Sequence, residues 1–256
     1  MRVLRVRYQE QVFYASLVGE ELHCLNRELG LKSPLSLNEV GVLPPVAPTK
    51  VICLGVNYAK HGAEMGHALP EEPLLFLKPP SAIITSGQTI IRPSQSQRVD
   101  YEGELAIVVG RQCRNITPEE AAECVFGYTC ANDVTARDLQ KKDVQFTRGK
   151  GFDTFLPIGP WIETDVPDPT NLGIRTLVNG EIRQQDNTSQ MLNKPYETLS
   201  FISRIMTLMP GDVVLTGTPE GVGPLVAGDE VRIEIDGVGI LINPVADDVE
   251  SVTSVQ

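Results

Sequence analysis

The sequence predicts an α+β fold, with a body rich in short strands and poor in helices behind a small β-rich N-terminal unit. Three observations carry this reading. Residues 2–8 alternate charged and apolar side chains, the period-two pattern of a half-buried strand, and strand-like stretches follow at 11–18 and 21–25. Asn179-Gly180, set between two strand-like stretches, is a strong hairpin signal because both residues tolerate positive φ. Helical patterns are few and do not alternate with the strands, which excludes the βαβ order of a doubly wound sheet.

Along the chain, Gln9-Glu10 and Glu20-Glu21 read as turns between the first strands. The leader ends at a proline cluster, Pro44, Pro45 and Pro48, which disfavours regular structure and marks a linker near residue 46. The expected division is a unit at 1–46 and a body at 47–256. Residues 50–55 read as a short strand, and 57–65 as one or two turns of helix or an ordered loop. Thr117-Pro-Glu-Glu opens a helix, with an N-cap hydroxyl, proline at the first position and Glu120 placed for a capping box. Strands at 175–178 and 181–184 flank Asn179-Gly180. A longer helix is expected at 196–208, where Leu199, Ile202, Ile205 and Met206 recur at helical spacing. Residues 211–245 repeat short apolar strands between Gly-Asp turns.

Composition narrows the function. With 33 acidic against 22 basic residues the formal net charge is −11, and no Lys/Arg cluster appears, so a nucleic-acid partner is not expected. The five cysteines form no Cys-x-x-Cys pair and sit mostly in apolar contexts, as reduced, buried thiols do. The first residues lack the uninterrupted apolar run of a signal peptide, and no window has the length of a membrane span. A cytoplasmic protein with no membrane partner is the expectation.

The most informative residues are acidic. In Asp-Tyr-Glu-Gly-Glu-Leu-Ala-Ile-Val-Val-Gly (100–110), Glu102 and Glu104 are two apart at the start of an apolar strand and therefore share one of its faces. Charges so crowded at the entrance to a buried strand need a cation to relieve them, and all-oxygen ligation suits Mg²⁺, Mn²⁺ or Ca²⁺. A solvated polar edge is the other reading, and spacing alone leaves both open. Gly-Thr-Pro-Glu-Gly-Val-Gly (217–223) lacks the Lys-Ser/Thr ending of a phosphate-binding loop, which argues against a nucleotide.

Seven segments in one order lift this ambiguity: Gly-Val-Asn-Tyr-Ala-Lys-His-Gly-Ala-Glu-Met (55–65), Leu-Phe-Leu-Lys-Pro (75–79), the Glu-Gly-Glu strand, Asn-Asp-Val-Thr-Ala-Arg-Asp-Leu-Gln (132–140), Gly-Lys-Gly-Phe-Asp (149–153), Val-Asn-Gly-Glu-Ile-Arg-Gln (178–184) and Leu-Thr-Gly-Thr-Pro-Glu-Gly-Val-Gly (215–223). Together, from about residue 50 to 245, they resemble the fumarylacetoacetate hydrolase family, particularly its small acylpyruvate hydrolase and oxaloacetate decarboxylase branch. The resemblance implies the mixed β-roll of that family's C-terminal domain, and a homodimer. It implies Glu102, Glu104 and Asp133 as ligands of Mg²⁺ or Mn²⁺, with Ca²⁺ as a further option. Asp100 shares the strand parity of the glutamates and is either a fourth ligand or an acceptor behind them.

The same resemblance marks His61 and Glu64 as a catalytic dyad, and their spacing of three lets a helical turn bring the carboxylate to the imidazole. It marks Lys150, between two glycines, as a catalytic ammonium that meets a substrate oxygen or a metal-bound carboxylate. Arg137 and Gln140 are implied around substrate oxygens, although Arg137 could instead pair with Asp138 or Asp143. Thr218 offers a hydroxyl near backbone N–H groups that suit a carboxylate, ahead of Thr216. His23 and His67 match nothing and default to the surface. The expected partner is a small 2-oxo acid, and the expected reaction is hydrolysis of the C–C bond of a 3-acylpyruvate through a metal-stabilised enolate. Oxaloacetate decarboxylation and keto–enol tautomerisation use the same parts. A metal-binding protein without catalysis is a remote alternative, which the retained His61, Glu64 and Lys150 argue against.

Overall fold

The computed structural model describes residues 1–31, 34–66 and 68–248. His67 and the last eight residues of the sequence lie outside the described residues, so the surface expectation for His67 has no counterpart here. Among the described residues the strands form three sheets, of twelve, five and three strands. The strand Gly103–Val109 lies inside the largest sheet, between Val125–Asn132 and Val213–Leu215, both antiparallel to it. All seven of its residues are buried. Its side chains alternate as a strand requires: Leu105, Ile107 and Val109 enter the larger core, while Ala106 and Val108 enter a second core with Val51, Cys53 and Val213.

The predicted elements take shape with adjusted limits. Strands Arg2–Tyr8, Gln11–Val18 and Glu21–Cys24 form, with a small core of Leu4, Val6, Phe13, Ala15, Leu22 and Leu35. They are continuous with the body, because Arg2–Tyr8 pairs antiparallel with Leu156–Glu163 in the same sheet. The hairpin Gly173–Val178/Glu181–Asn187 turns at Asn179 and Gly180, with φ of 53° and 81° as a type I′ turn needs. Thr117 caps a helix with the expected reciprocal box, but only Pro118–Ala121 is α-helical before a 3₁₀ turn begins. The later helix is Pro195–Ile205 and stops short of Leu208, whose backbone bridges Cys113 instead. Residues 211–245 return as short strands, including Val213–Leu215, Glu230–Ile235 and Gly239–Asp247. The cysteines are free thiols, four of them buried. Among the described residues no helix is long and apolar enough to cross a membrane.

One buried carboxylate fixes the edge that leads to the site. Asp212 accepts hydrogen bonds from the Thr49 amide (3.1 Å) and hydroxyl (2.7 Å), the Lys50 amide (3.2 Å) and the Met209 amide (2.8 Å), and it pairs with the Lys50 ammonium. These bonds start the strand Val51–Gly55 in parallel register with Val213–Leu215. Asp212→Ala strands several buried donors and should cost roughly 3 kcal/mol of stability, whereas Asp212→Asn should cost less. Denaturant unfolding checks this, and an alanine variant as stable as wild type would contradict it.

Candidate active site

Asp133 reaches the two glutamates through strand register. Gly103 pairs with Asn132 and Glu104 with Ala131, so the residue following Asn132 falls beside Glu102, and the Asp133 amide donates to the Glu102 carbonyl at 2.8 Å. Glu102, Glu104 and Asp133 are buried, and each offers an oxygen within 4.8 Å of the others. The glycine between the glutamates is required by packing. A Cβ on Gly103 would stand 2.2 Å from the Thr176 hydroxyl, and its amide donates to Gln184 Oε1 at 3.0 Å.

Three buried cations meet these carboxylates. Lys150 Nζ lies 2.9 Å from Glu102 Oε2, 2.6 Å from Asp133 Oδ2 and 2.9 Å from the Thr135 hydroxyl, with the Phe76 ring 4.8 Å away. Lys78 Nζ donates to the other oxygen, Asp133 Oδ1, at 2.7 Å and to the Val134 carbonyl at 3.1 Å. The Arg137 guanidinium donates from Nε to Asp100 (2.9 Å), from one terminal nitrogen to Gln140 (2.7 Å) and from the other to Glu102. Arg137 therefore does not pair with Asp138 or Asp143. Asp138 binds Ser96 and the Gln97 amide, while Asp143 pairs with Arg148. Asp100 is an acceptor behind the triad, its two oxygens taken by Arg98 and Arg137.

The charges are unevenly compensated. Burial favours protonation of Glu102, but Lys150 and Arg137 outweigh it and hold this carboxyl well below the usual range. Glu104 has a single backbone donor, Gly217 N–H at 2.6 Å, and burial together with Asp133 and Glu102 pushes its carboxyl well above that range. Burial pulls Lys78 below its ordinary value, against the opposing pull of Asp133. Lys150 is raised, because Asp133 and Glu102 outweigh its burial.

The predicted dyad forms on the helix Ala59–Glu64, where His61 Nδ1 lies 3.3 Å from Glu64 Oε2. The Gly221 amide holds both oxygens of Glu64, at 3.1 and 3.2 Å. His61 lines one cleft with Glu102, Glu104, Lys150, Arg137, Gln140 and Thr218. Val56, a β-branched residue at φ 54°, also lines it, where the chain turns from strand to dyad helix. A roomier groove of about 850 Å³ runs beneath the N-terminal strands, but Glu28 and Tyr14 are its only titratable side chains among the described residues. Chemistry is concentrated in the smaller cleft.

Two sequence expectations take a different physical form. Gly149 is small because the helix Arg137–Asp143 presses on it, with Gln140 Cα 2.9 Å from where a Cβ would stand; the close approach is to protein rather than to ligand. The Thr218 hydroxyl donates to the Gly103 carbonyl and accepts from Gln184, both at 2.8 Å, so its proton is committed inside the protein. Thr216 bonds the Leu105 carbonyl. Lys78 and Gln184 were not singled out from sequence, although both lie in the quoted segments 75–79 and 178–184. His23 is half-buried and lies 3.6 Å from Glu21.

Three hard oxygen donors within 4.8 Å of one another fit a divalent cation, and with the histidine on the same cleft they make the constellation of an enzyme site. Residues 50–246 match the family model described as Fumarylacetoacetate (FAA) hydrolase C-terminal, and the chain belongs to that family of enzymes. It is 46% identical to a mitochondrial oxaloacetate tautomerase of Xenopus laevis over 82% of this chain and 70% of the relative. A 5-carboxymethyl-2-hydroxymuconate delta-isomerase from Mycobacterium smegmatis superposes with a TM-score of 0.89 at 44% identity, covering 98% of this chain and all of that one. A maleylpyruvate hydrolase from Sphingobium, solved with manganese(II) and pyruvate, superposes at 0.83 with 31% identity, covering 97% and 100%.

The raised Glu104 carboxyl stabilises the metal-free fold fully below the ordinary carboxylate pKa, and that contribution is lost as pH climbs through the raised value. Lowered Glu102 behaves oppositely, its contribution present above the ordinary value and lost only in strong acid. Mg²⁺ binding should therefore release protons and stabilise the fold more as pH rises. Calorimetry in buffers of different ionisation enthalpy tests this, and identical heats in all buffers would contradict it. Lys78→Met, which leaves Asp133 one cation fewer, should cost roughly 3 kcal/mol in denaturant unfolding.

Proposed function

We propose that this protein is a divalent-metal-dependent enzyme that moves a proton on a 2-oxo acid, interconverting its keto and enol or isomeric forms. The observation that carries the reading is a histidine, braced by a glutamate, opening onto the same cleft as Glu102 and Glu104 of the carboxylate triad. Glu102, Glu104 and Asp133 would hold the cation. When bound, the ion supplies a Lewis acid that stabilises negative charge on the 2-oxo oxygen. His61 takes the proton from the carbon beside the oxo group, and the electron pair of that C–H bond moves toward the oxygen. The protonated imidazole returns the proton to that oxygen to give the enol, or to another carbon to give the isomer. Glu64 keeps the imidazole oriented and stabilises it once protonated, while the Gly221 amide keeps Glu64 in place. Lys150 and Arg137 balance the acids and, through their bonds to Glu102, Asp133 and Asp100, hold the carboxylates in place.

Hydrolysis of a 3-acylpyruvate is the second reading. His61 would then deprotonate a water that adds to the distal carbonyl, after which the C–C bond breaks and its electrons form the enolate of pyruvate. Proton transfer is placed first because the tautomerase and isomerase relatives are 42–46% identical and the hydrolases 31–39%. Decarboxylation is placed last, since it needs no positioned base.

Loss of the oxaloacetate enol signal, ¹⁸O from water in a released acid, and CO₂ formed with pyruvate separate the three reactions in one Mg²⁺ or Mn²⁺ assay. A chelator should abolish turnover, and undiminished turnover in metal-free protein would overturn the proposal. His61→Ala should slow the proton transfer about 10²–10⁴-fold with metal affinity nearly unchanged, and Glu64→Gln should do less. A His61→Ala variant working at the wild-type rate would show that the base lies elsewhere.

A further inference from the structure

The cleft continues outward into a recess of about 190 Å³ lined by Glu64, Met65, Arg98, Arg137, Lys141 and Val222. Met65 and Arg137 line both spaces. The proton-transfer chemistry just described leaves the recess unused, and its polar groups are mostly cationic. Arg137 has each of its three nitrogens engaged, by Asp100, Gln140 and Glu102, and forms the wall between the two spaces. The other two cations have donors to spare. Arg98 is fixed by its Nε to Asp100 at 2.9 Å, its side chain is half exposed, and its two terminal nitrogens bond no protein group among the described residues. Lys141 is exposed and makes no ion pair or side-chain hydrogen bond among the described residues.

Backbone geometry sets these two side by side. The Arg137 amide donates to the Arg98 carbonyl at 2.8 Å, and Val99 pairs with Ala136, so Arg98 lies next to the start of the helix Arg137–Asp143. Lys141 is four residues into that helix and therefore on the face of Arg137, about 6 Å further along its axis. Glu64 is the one acid lining the recess, and its oxygens already accept from the Gly221 amide and face His61. Among the side chains that line the recess Arg98, Arg137 and Lys141 outnumber Glu64, and Arg98 and Lys141 keep free donors that can meet an anion.

We propose that Arg98 and Lys141 form the subsite for the second carboxylate of a 2-oxo diacid, selecting substrates whose distal acid sits on an arm of several carbons. This rests on the reading of the inner cleft as a 2-oxo acid site. The planar Arg98 fork, anchored at Nε, offers two parallel donors to a carboxylate, and Lys141 adds a mobile point charge beside it.

The test uses six-carbon ligands that differ only at the far end, 2-oxoadipate and 2-oxohexanoate, titrated calorimetrically into Mg²⁺-loaded protein. Wild type should bind the diacid about tenfold more tightly than the monoacid. That preference should fall to roughly threefold in Arg98→Met or Lys141→Met and to parity in the double variant. Equal binding of the two ligands by wild type, or a preference that survives in the double variant, would overturn the subsite. Binding of neither ligand by wild type would instead overturn the 2-oxo acid reading of the inner cleft, and the subsite with it.

Discussion

Everything in this structure bends around the cost of burying Asp100, Glu102, Glu104 and Asp133 at one end of a sheet. An isolated carboxylate in such a place loses most of its hydration, and the loss is tolerable only where cations and N–H donors replace the water. Lys78, Lys150 and Arg137 are those cations, and each is itself buried. They are delivered by separate elements: the strand Leu74–Lys78, the helix Thr147–Lys150 and the helix Arg137–Asp143. The order of strands in the large sheet and the tight contact of the two helices at Gly149 can be understood as what brings these groups within hydrogen-bonding range.

Much of the site was legible because part of it is local. Residues two apart on an extended chain share a face and residues three apart on a helical turn meet, so the proximity of Glu102 to Glu104 and of His61 to Glu64 is readable from spacing, while their roles come from the resemblance. What spacing does not give is non-local, and Asp133 is expected only through the family resemblance. Asp133 joins the triad through a register that pairs residues about thirty apart. Lys78 ends an apolar strand, where a lysine ordinarily reaches water, and only the position of Asp133 reveals that it turns inward. The N-terminal strands read as a separate unit because their partner, Leu156–Glu163, lies some 150 residues away. Arg98 sits in a polar Ser-Gln-Ser-Gln stretch that reads as a plain loop.

The family resemblance and the geometry agree on the parts and leave the reaction to finer features. A base, a set of hard ligands and a cluster of donors describe the common requirement of enol chemistry on 2-oxo acids. What distinguishes one such enzyme from another is where a water can stand and how the far end of the substrate is gripped. Both are properties of the outer cleft, built from the segment after the dyad helix, the loop at 217–223 and the exposed face of the helix Arg137–Asp143.

Lys150 has a consequence for how the protein is made. Its ammonium bridges Glu102 and Asp133 from within the chain, and Glu104 can keep a proton, so the newly synthesised polypeptide carries its own neutralising charges. Small zinc domains, by contrast, have no stable form until the ion arrives. Here much of the compensation is built into the chain, so the carboxylates do not depend on an ion alone for their neutralisation.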